Sequence, residues 1–119
     1  MGHVRVKVKI ANPSRRSQPV EVSDALFDTR ATWSVLPRSL ANQLGLDIIG
    51  KKRVRTADSE AQLDHSFAYI EYDGHDSVGD VIISDTYPGV LVGVLTLEGM
   101  ALAVDPKTGR LVDSELLLL

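Results

Sequence analysis

Val4, Val6, Val8 and Ile10 alternate with Arg5, Lys7 and Lys9, which puts one apolar and one cationic face on an extended segment. Such a period excludes an amphipathic helix and requires a partner for the apolar face, so this segment is a half-buried strand. Asn12 to Pro19 lacks apolar residues and is rich in turn formers, which makes it a loop leading to a second strand over Val20 to Phe27 and so to a hairpin. Alternation returns in Lys51 to Thr56 and in Gln62 to Tyr72. The polar Ala57-Asp58-Ser59-Glu60-Ala61 between them reads as the tip of a long hairpin, and Asp73-Gly74 as the turn that ends its second arm. Val78 to Ile83 is strand-like, and the apolar run Val90 to Leu95 belongs in the core after the breakers Pro88 and Gly89. Ala101 to Val104 and Leu111-Val112 flank Asp105-Pro106-Lys107-Thr108-Gly109, which predicts a last hairpin.

One helix interrupts this pattern. Pro37 suits a first helical position, Leu36, Leu40 and Leu44 recur every four residues, and Gly45 can close the helix in the left-handed conformation. Many short strands with one or two short helices predict a mostly-β domain closed into a barrel, with residues 1–119 forming a single domain. Hydrophobic residues make up 44% and charged residues 24% of the 119, which is ordinary for a chain that folds.

Charge and composition remove several function classes. Thirteen Lys and Arg against sixteen Asp and Glu give a net charge of -3, so no global field favours nucleic acid. The basic run Lys51-Lys52-Arg53-Val54-Arg55 is read as a solvated strand face. The absence of cysteine excludes a disulfide framework, a cysteine nucleophile and thiolate metal sites, and makes a cytoplasmic location the expectation. No stretch has the length to span a membrane, and the first residues lack the apolar run of a secretory signal. His65, His75, Asp64, Asp73 and Asp76 have no recognised ligand spacing, so no metal and no cofactor is assigned. Ser34 makes no nucleophile motif with any histidine, and Trp33 is expected in core or dimer packing.

The residues that carry chemistry are Asp28-Thr29-Arg30-Ala31, which follow the apolar Leu26-Phe27. Downstream come the hairpin around residues 57–61 and then Leu91-Val92-Gly93 before Thr96-Leu97-Glu98-Gly99-Met100. These three elements, in this order, resemble the retropepsin-like aspartic proteases, which place Asp-Thr/Ser-Gly-Ala after an apolar strand, then a flap hairpin, then two apolar residues and Gly before a short helix. The closing Val104-Asp105-Pro106-Lys107-Thr108-Gly109-Arg110-Leu111 also looks like bacterial and archaeal members, and the similarity covers nearly the whole chain.

The resemblance implies an aspartic endopeptidase that is a two-fold homodimer with Asp28 of each subunit as a catalytic carboxylate. Peptide hydrolysis by water needs one carboxylate to take a proton and one carboxylic acid to give one, and two close carboxyls share a proton as a dyad. With one such Asp per chain, an isologous dimer is the natural way to supply the second. By the same resemblance Thr29 would bond across the dimer beneath the dyad, and Ala31, Val92 and Gly93 would support the active loop. Ala57, Asp58, Ser59 and Glu60 would form the flap tip over an extended peptide. The apolar Leu116 to Leu119 should not be left in water by a monomer, so either it pairs, adding a strand to the dimer, or the chain was cut there.

Arg30 departs from this pattern. Relatives have Gly there, where the backbone lies against substrate, and a guanidinium two residues from Asp28 favours an ionised carboxylate over a half-protonated dyad. The tip Asp58-Ser59-Glu60 also lacks the usual Gly. The alternative reading is therefore a catalytically silent dimerisation or peptide-binding module that keeps the protease fold.

Overall fold

The computed structural model describes residues 3–55 and 58–115. Nine strands dominate it: β1 (His3–Ala11), β2 (Val20–Asp28), β3 (Ser34–Pro37), β4 (Gly50–Arg55), β5 (Glu60–Tyr72), β6 (His75–Ser84), β7 (Leu91–Val92), β8 (Leu102–Val104) and β9 (Leu111–Asp113). Two short helices complete it, α1 (Arg38–Leu44) and α2 (Val94–Gly99), with a 3-10 turn at Pro13–Arg15. Seven strands form one sheet in the order β1-β2-β7-β3-β6-β5-β4, and β1 also pairs with β5, so the sheet curves back on itself. β8 and β9 form a separate antiparallel pair.

The alternation of β1 is realised as read. Arg5, Lys7 and Lys9 face water, Val8 and Ile10 are buried, and the register against β2 shifts between Val6 and Val8. Phe27, Leu36, Ile70, Val81, Ile83, Val92 and Leu97 close the core from the other strands and from α2. Burying a side chain of this size contributes roughly 1.5–3 kcal/mol, which is why the apolar phase of each strand fixes its facing. Asp73 and Gly74, at φ 50° and 84°, make the tight turn between β5 and β6 that pairs Tyr72 with His75.

Several boundaries differ from the sequence reading. Pro37 is the last residue of β3 and caps α1 instead of beginning it, because its extended ψ of 150° keeps it in the strand. β3 itself has no alternation long enough to be recognised. Gly45 closes α1 at φ 65°, and the Asn12 amide and the Arg15 guanidinium bind the freed Leu44 carbonyl, so the loop after β1 is stapled to the helix end. Glu60 and Ala61 are not part of a hairpin tip, since they pair with Arg55 and Val54 in the ladder. The run Val90 to Leu95 is not one core strand: it splits into β7 and the first turn of α2, which leaves Leu95 48% exposed. Ala57 and the Leu116–Leu119 tail lie outside the described residues. Among the described residues no helix is long and apolar enough to cross a membrane.

Candidate active site

Asp28 is the last residue of β2, and the parallel pairing of Leu26 with Leu91 and Phe27 with Val92 carries it to the same end of the sheet as Gly93. It is 5% exposed. The chain turns at once, with the Ala31 amide donating to the Asp28 carbonyl at 3.2 Å, and re-enters the sheet as β3. Residues 28–33 thus form a loop at the mouth between β2, β3 and β7.

That loop is fixed from below by α2. Val94 N–H donates to the Ala31 carbonyl at 2.8 Å and Leu95 N–H to the Thr32 carbonyl at 3.2 Å. These are amides of the first turn of a helix, which have no partner inside the helix, so the loop supplies what the helix lacks. Gly93 permits the approach: a Cβ there would lie 2.7 Å from both the carbonyl carbon and oxygen of Trp33 and 2.9 Å from the Ala31 oxygen. Its φ of −86° is ordinary, so the glycine is needed for space and not for conformation. Under the loop the fully buried Ser34 hydroxyl accepts from Gly93 N–H at 3.0 Å and shares a 2.6 Å hydrogen bond with Thr96 Oγ1. Among the described residues no buried side-chain nitrogen or oxygen lacks a partner, as burial demands.

Arg30 returns onto Asp28. Its Nε donates to Oδ1 at 3.0 Å, its Nη2 donates to Oδ2 at 2.8 Å, and its backbone amide donates to Oδ1 at 2.9 Å. The two side-chain bonds are the parallel fork that guanidinium and carboxylate form best. The exposures of the two side chains are unequal, 79% for Arg30 and 8% for Asp28. Hydrogen bonding to Asp28, and then its charge, raise the Arg30 guanidinium above its ordinary value. The φ of Arg30 is outside the left-handed region, so the position accepts a side chain without backbone strain.

No protein-family model matches the chain, and no curated protein matches its sequence. Solved structures do. EIAV protease complexed with the inhibitor HBY-793 superposes with a TM-score of 0.60 over 98% of this chain and 93% of its own, at 18% identity. The retroviral protease-like domain of Ddi1 from Leishmania major gives 0.57 over 92% and 84%, at 15% identity. The foamy viral protease-reverse transcriptase bound to RNA/DNA hybrid gives 0.57 over 79% of this chain at 13% identity, and this chain spans only 12% of that one. The chain has a retropepsin-like fold.

Within this retropepsin-like fold, Asp28, Arg30, Ala31, Val92 and Gly93 are brought together at one junction, and Thr29 is exposed beside them. Asp58, Ser59 and Glu60 lie apart, at the far end of the β4–β5 hairpin, where Glu60 is paired with Arg55. Trp33 is half-buried but not in the core: its ring meets the His65 ring at 4.8 Å between centroids, and the Lys52 ammonium lies 5.9 Å from it. His65 is held by Asp80 at 2.7 Å, and His75 by the Met100 carbonyl and Asp113. Sequence reasoning missed the positioning hydroxyls of Ser34 and Thr96. The available signal was a lone hydroxyl on each side of an apolar neighbourhood, Ser34 before Val35-Leu36 and Thr96 between Leu95 and Leu97.

Proposed function

We propose that this chain is one half of a homodimeric aspartic endopeptidase in which the two Asp28 carboxyls activate water against an extended peptide. The observation that carries the reading is the Asp28 carboxylate, nearly buried on a loop locked to Gly93 and α2, in a retropepsin-like fold. In the dimer one carboxylate takes a proton from water as the water oxygen bonds to the scissile carbonyl carbon, and the other, protonated, gives its proton to the carbonyl oxygen. Collapse of the tetrahedral adduct breaks the C–N bond: the departing nitrogen takes the proton that the first carboxylate had removed from water, and one hydroxyl of the adduct returns its proton to the second carboxylate, which restores the dyad. In this reading exposed Thr29, beside Asp28, would make the contact across the axis, and the β4–β5 hairpin would serve as the flap over the bound strand.

The test is cleavage of denatured protein, with oligomeric state measured in parallel. Asp28→Asn should lower the rate by ~10²–10⁴-fold, with activity strongest at mildly acidic pH, where a dyad shares one proton. Unchanged cleavage by Asp28→Asn, or a monomer at assay concentration, refutes it.

One observation favours a second reading, a silent peptide-binding module: the Arg30 fork occupies both Asp28 oxygens. A folded dimer that binds extended peptides and cleaves none, in native and Arg30→Gly forms alike, would decide for it.

A further inference from the structure

The fork on Asp28 has two unequal halves. The carboxylate is held from within the fold, by the Arg30 backbone amide as well as the side chain. The guanidinium is held only by Asp28 among the described residues, and it stands mostly in water. The side chain can therefore leave while the backbone bond keeps the carboxylate in place. A ligand approaching Asp28 from solvent meets the guanidinium first.

What would remove it is set by chemistry. A neutral peptide offers carbonyl oxygens, which match neither the charge nor the planar fork of a carboxylate. A second carboxylate offers both, and exchanging one bidentate partner for another costs far less than breaking the pair outright. A further cation lies by the loop that follows Asp28: Lys51 on β4 is paired with Asp64 and Arg55 with Glu60, whereas the Lys52 ammonium lies 5.9 Å from the ring of Trp33 in that loop.

We propose that Arg30 is a latch opened by substrate, so that the enzyme selects peptides with a Glu or Asp side chain beside the scissile bond. This rests on the endopeptidase reading. The acidic side chain takes the guanidinium, Asp28 is released into the shared-proton dyad, and cleavage follows. Arg30 is then a specificity-determining residue that acts through Asp28. Because apparent affinity scales with the fraction of molecules in the competent state, a latch closed in most free molecules penalises neutral substrates by the inverse of the open fraction.

The experiment first maps cleaved bonds in denatured protein by mass spectrometry. It then compares one acetylated, amidated peptide with its Glu→Gln counterpart at the residue beside the cleaved bond, so that no terminal carboxylate contributes. The native chain should prefer the Glu peptide by ~10-fold or more in kcat/KM. In Arg30→Gly, cleavage of the Gln peptide should rise by ~10-fold or more and the preference should fall to about 2-fold or less. A guanidinium that merely attracts acidic substrate would lower the Glu rate and leave the Gln rate alone, so an unchanged Gln rate in Arg30→Gly overturns the latch. An unaltered Glu:Gln ratio does the same. No cleavage by either folded form removes the endopeptidase reading itself, and the latch with it.

Discussion

Gly93→Ala perturbs the candidate site through sterics alone, adding one methyl group without charge or polarity. The ideal Cβ would stand 2.7 Å from the Trp33 carbonyl carbon and oxygen, about 0.7 Å inside ordinary contact. Every close atom is backbone, so no rotamer change relieves the overlap. The opposing segment is also pinned, by Val94 N–H on the Ala31 carbonyl and Leu95 N–H on the Thr32 carbonyl. Overpacking of this kind costs roughly 1–3 kcal/mol, and strain on either loop bond adds about 0.5–1.5 kcal/mol. A loss of about 3 kcal/mol is expected, which for a domain of this size lowers Tm by about 10 °C. Thermal unfolding followed by circular dichroism, at fixed protein concentration because the proposed dimer would link stability to mass action, reads it directly. Gly50→Ala is the control, since nothing lies within 4 Å of its Cβ, and it should change stability by less than about 0.5 kcal/mol. A Tm for Gly93→Ala within about 2 °C of the native chain would refute the close-packing argument for the Asp28 loop. So would an equal fall in Gly50→Ala.

Two further expectations concern different links in the same chain of reasoning. Ser34→Ala strands the buried Gly93 amide and the Thr96 hydroxyl; chemical denaturation should show a loss of about 1–3 kcal/mol per unsatisfied group, and a smaller one when Thr96→Val is added. Arg38 bridges Asp64 and Asp85, and hydrogen bonds, from Lys51 and then Arg38 to Asp64 and from Arg38 to Asp85, hold both carboxyls below their ordinary range. Their contribution is therefore complete above pH ~4 and lost as pH falls through the depressed values. The stability difference between the native chain and Arg38→Gln should stay constant from pH 8 to ~4 and shrink below it; a difference that shrinks between pH 8 and 5 would contradict this.

Segments were legible in the sequence where one physical rule decided them. β1 had a clean two-residue period, the Asp73-Gly74 turn had the residues its dihedrals demand, and α1 had its leucine spacing and closing glycine. β3 and β7 were not legible, because four and two residues carry no period, and both exist only through partners far away in sequence. The same holds for the site. Asp28 and Gly93 were singled out as candidates by their order along the chain, whereas the Ser34–Thr96 bond spans 62 positions and is visible only once β3 and α2 are docked. The direction taken by Arg30 was likewise open, since a guanidinium two residues from a carboxylate can face it or face solvent.

That direction matters because the backbone does not require the residue to be anything else. Positive φ in non-glycine residues is confined, among the described residues, to Asp73 and Ala101, so Arg30 occupies ground that any L-residue accepts. The glycine that the sequence resemblance leads one to expect at this position is therefore not demanded by the turn of this chain. Arginine fills the space over the carboxylate with a permanent cation, and the loop beneath, held by Gly93, Ser34 and α2, does not depend on it. Changing residue 30 should accordingly alter access to Asp28 while leaving the loop folded. For that reason activity measured on Arg30 variants reports on the carboxylate and not on the integrity of the site.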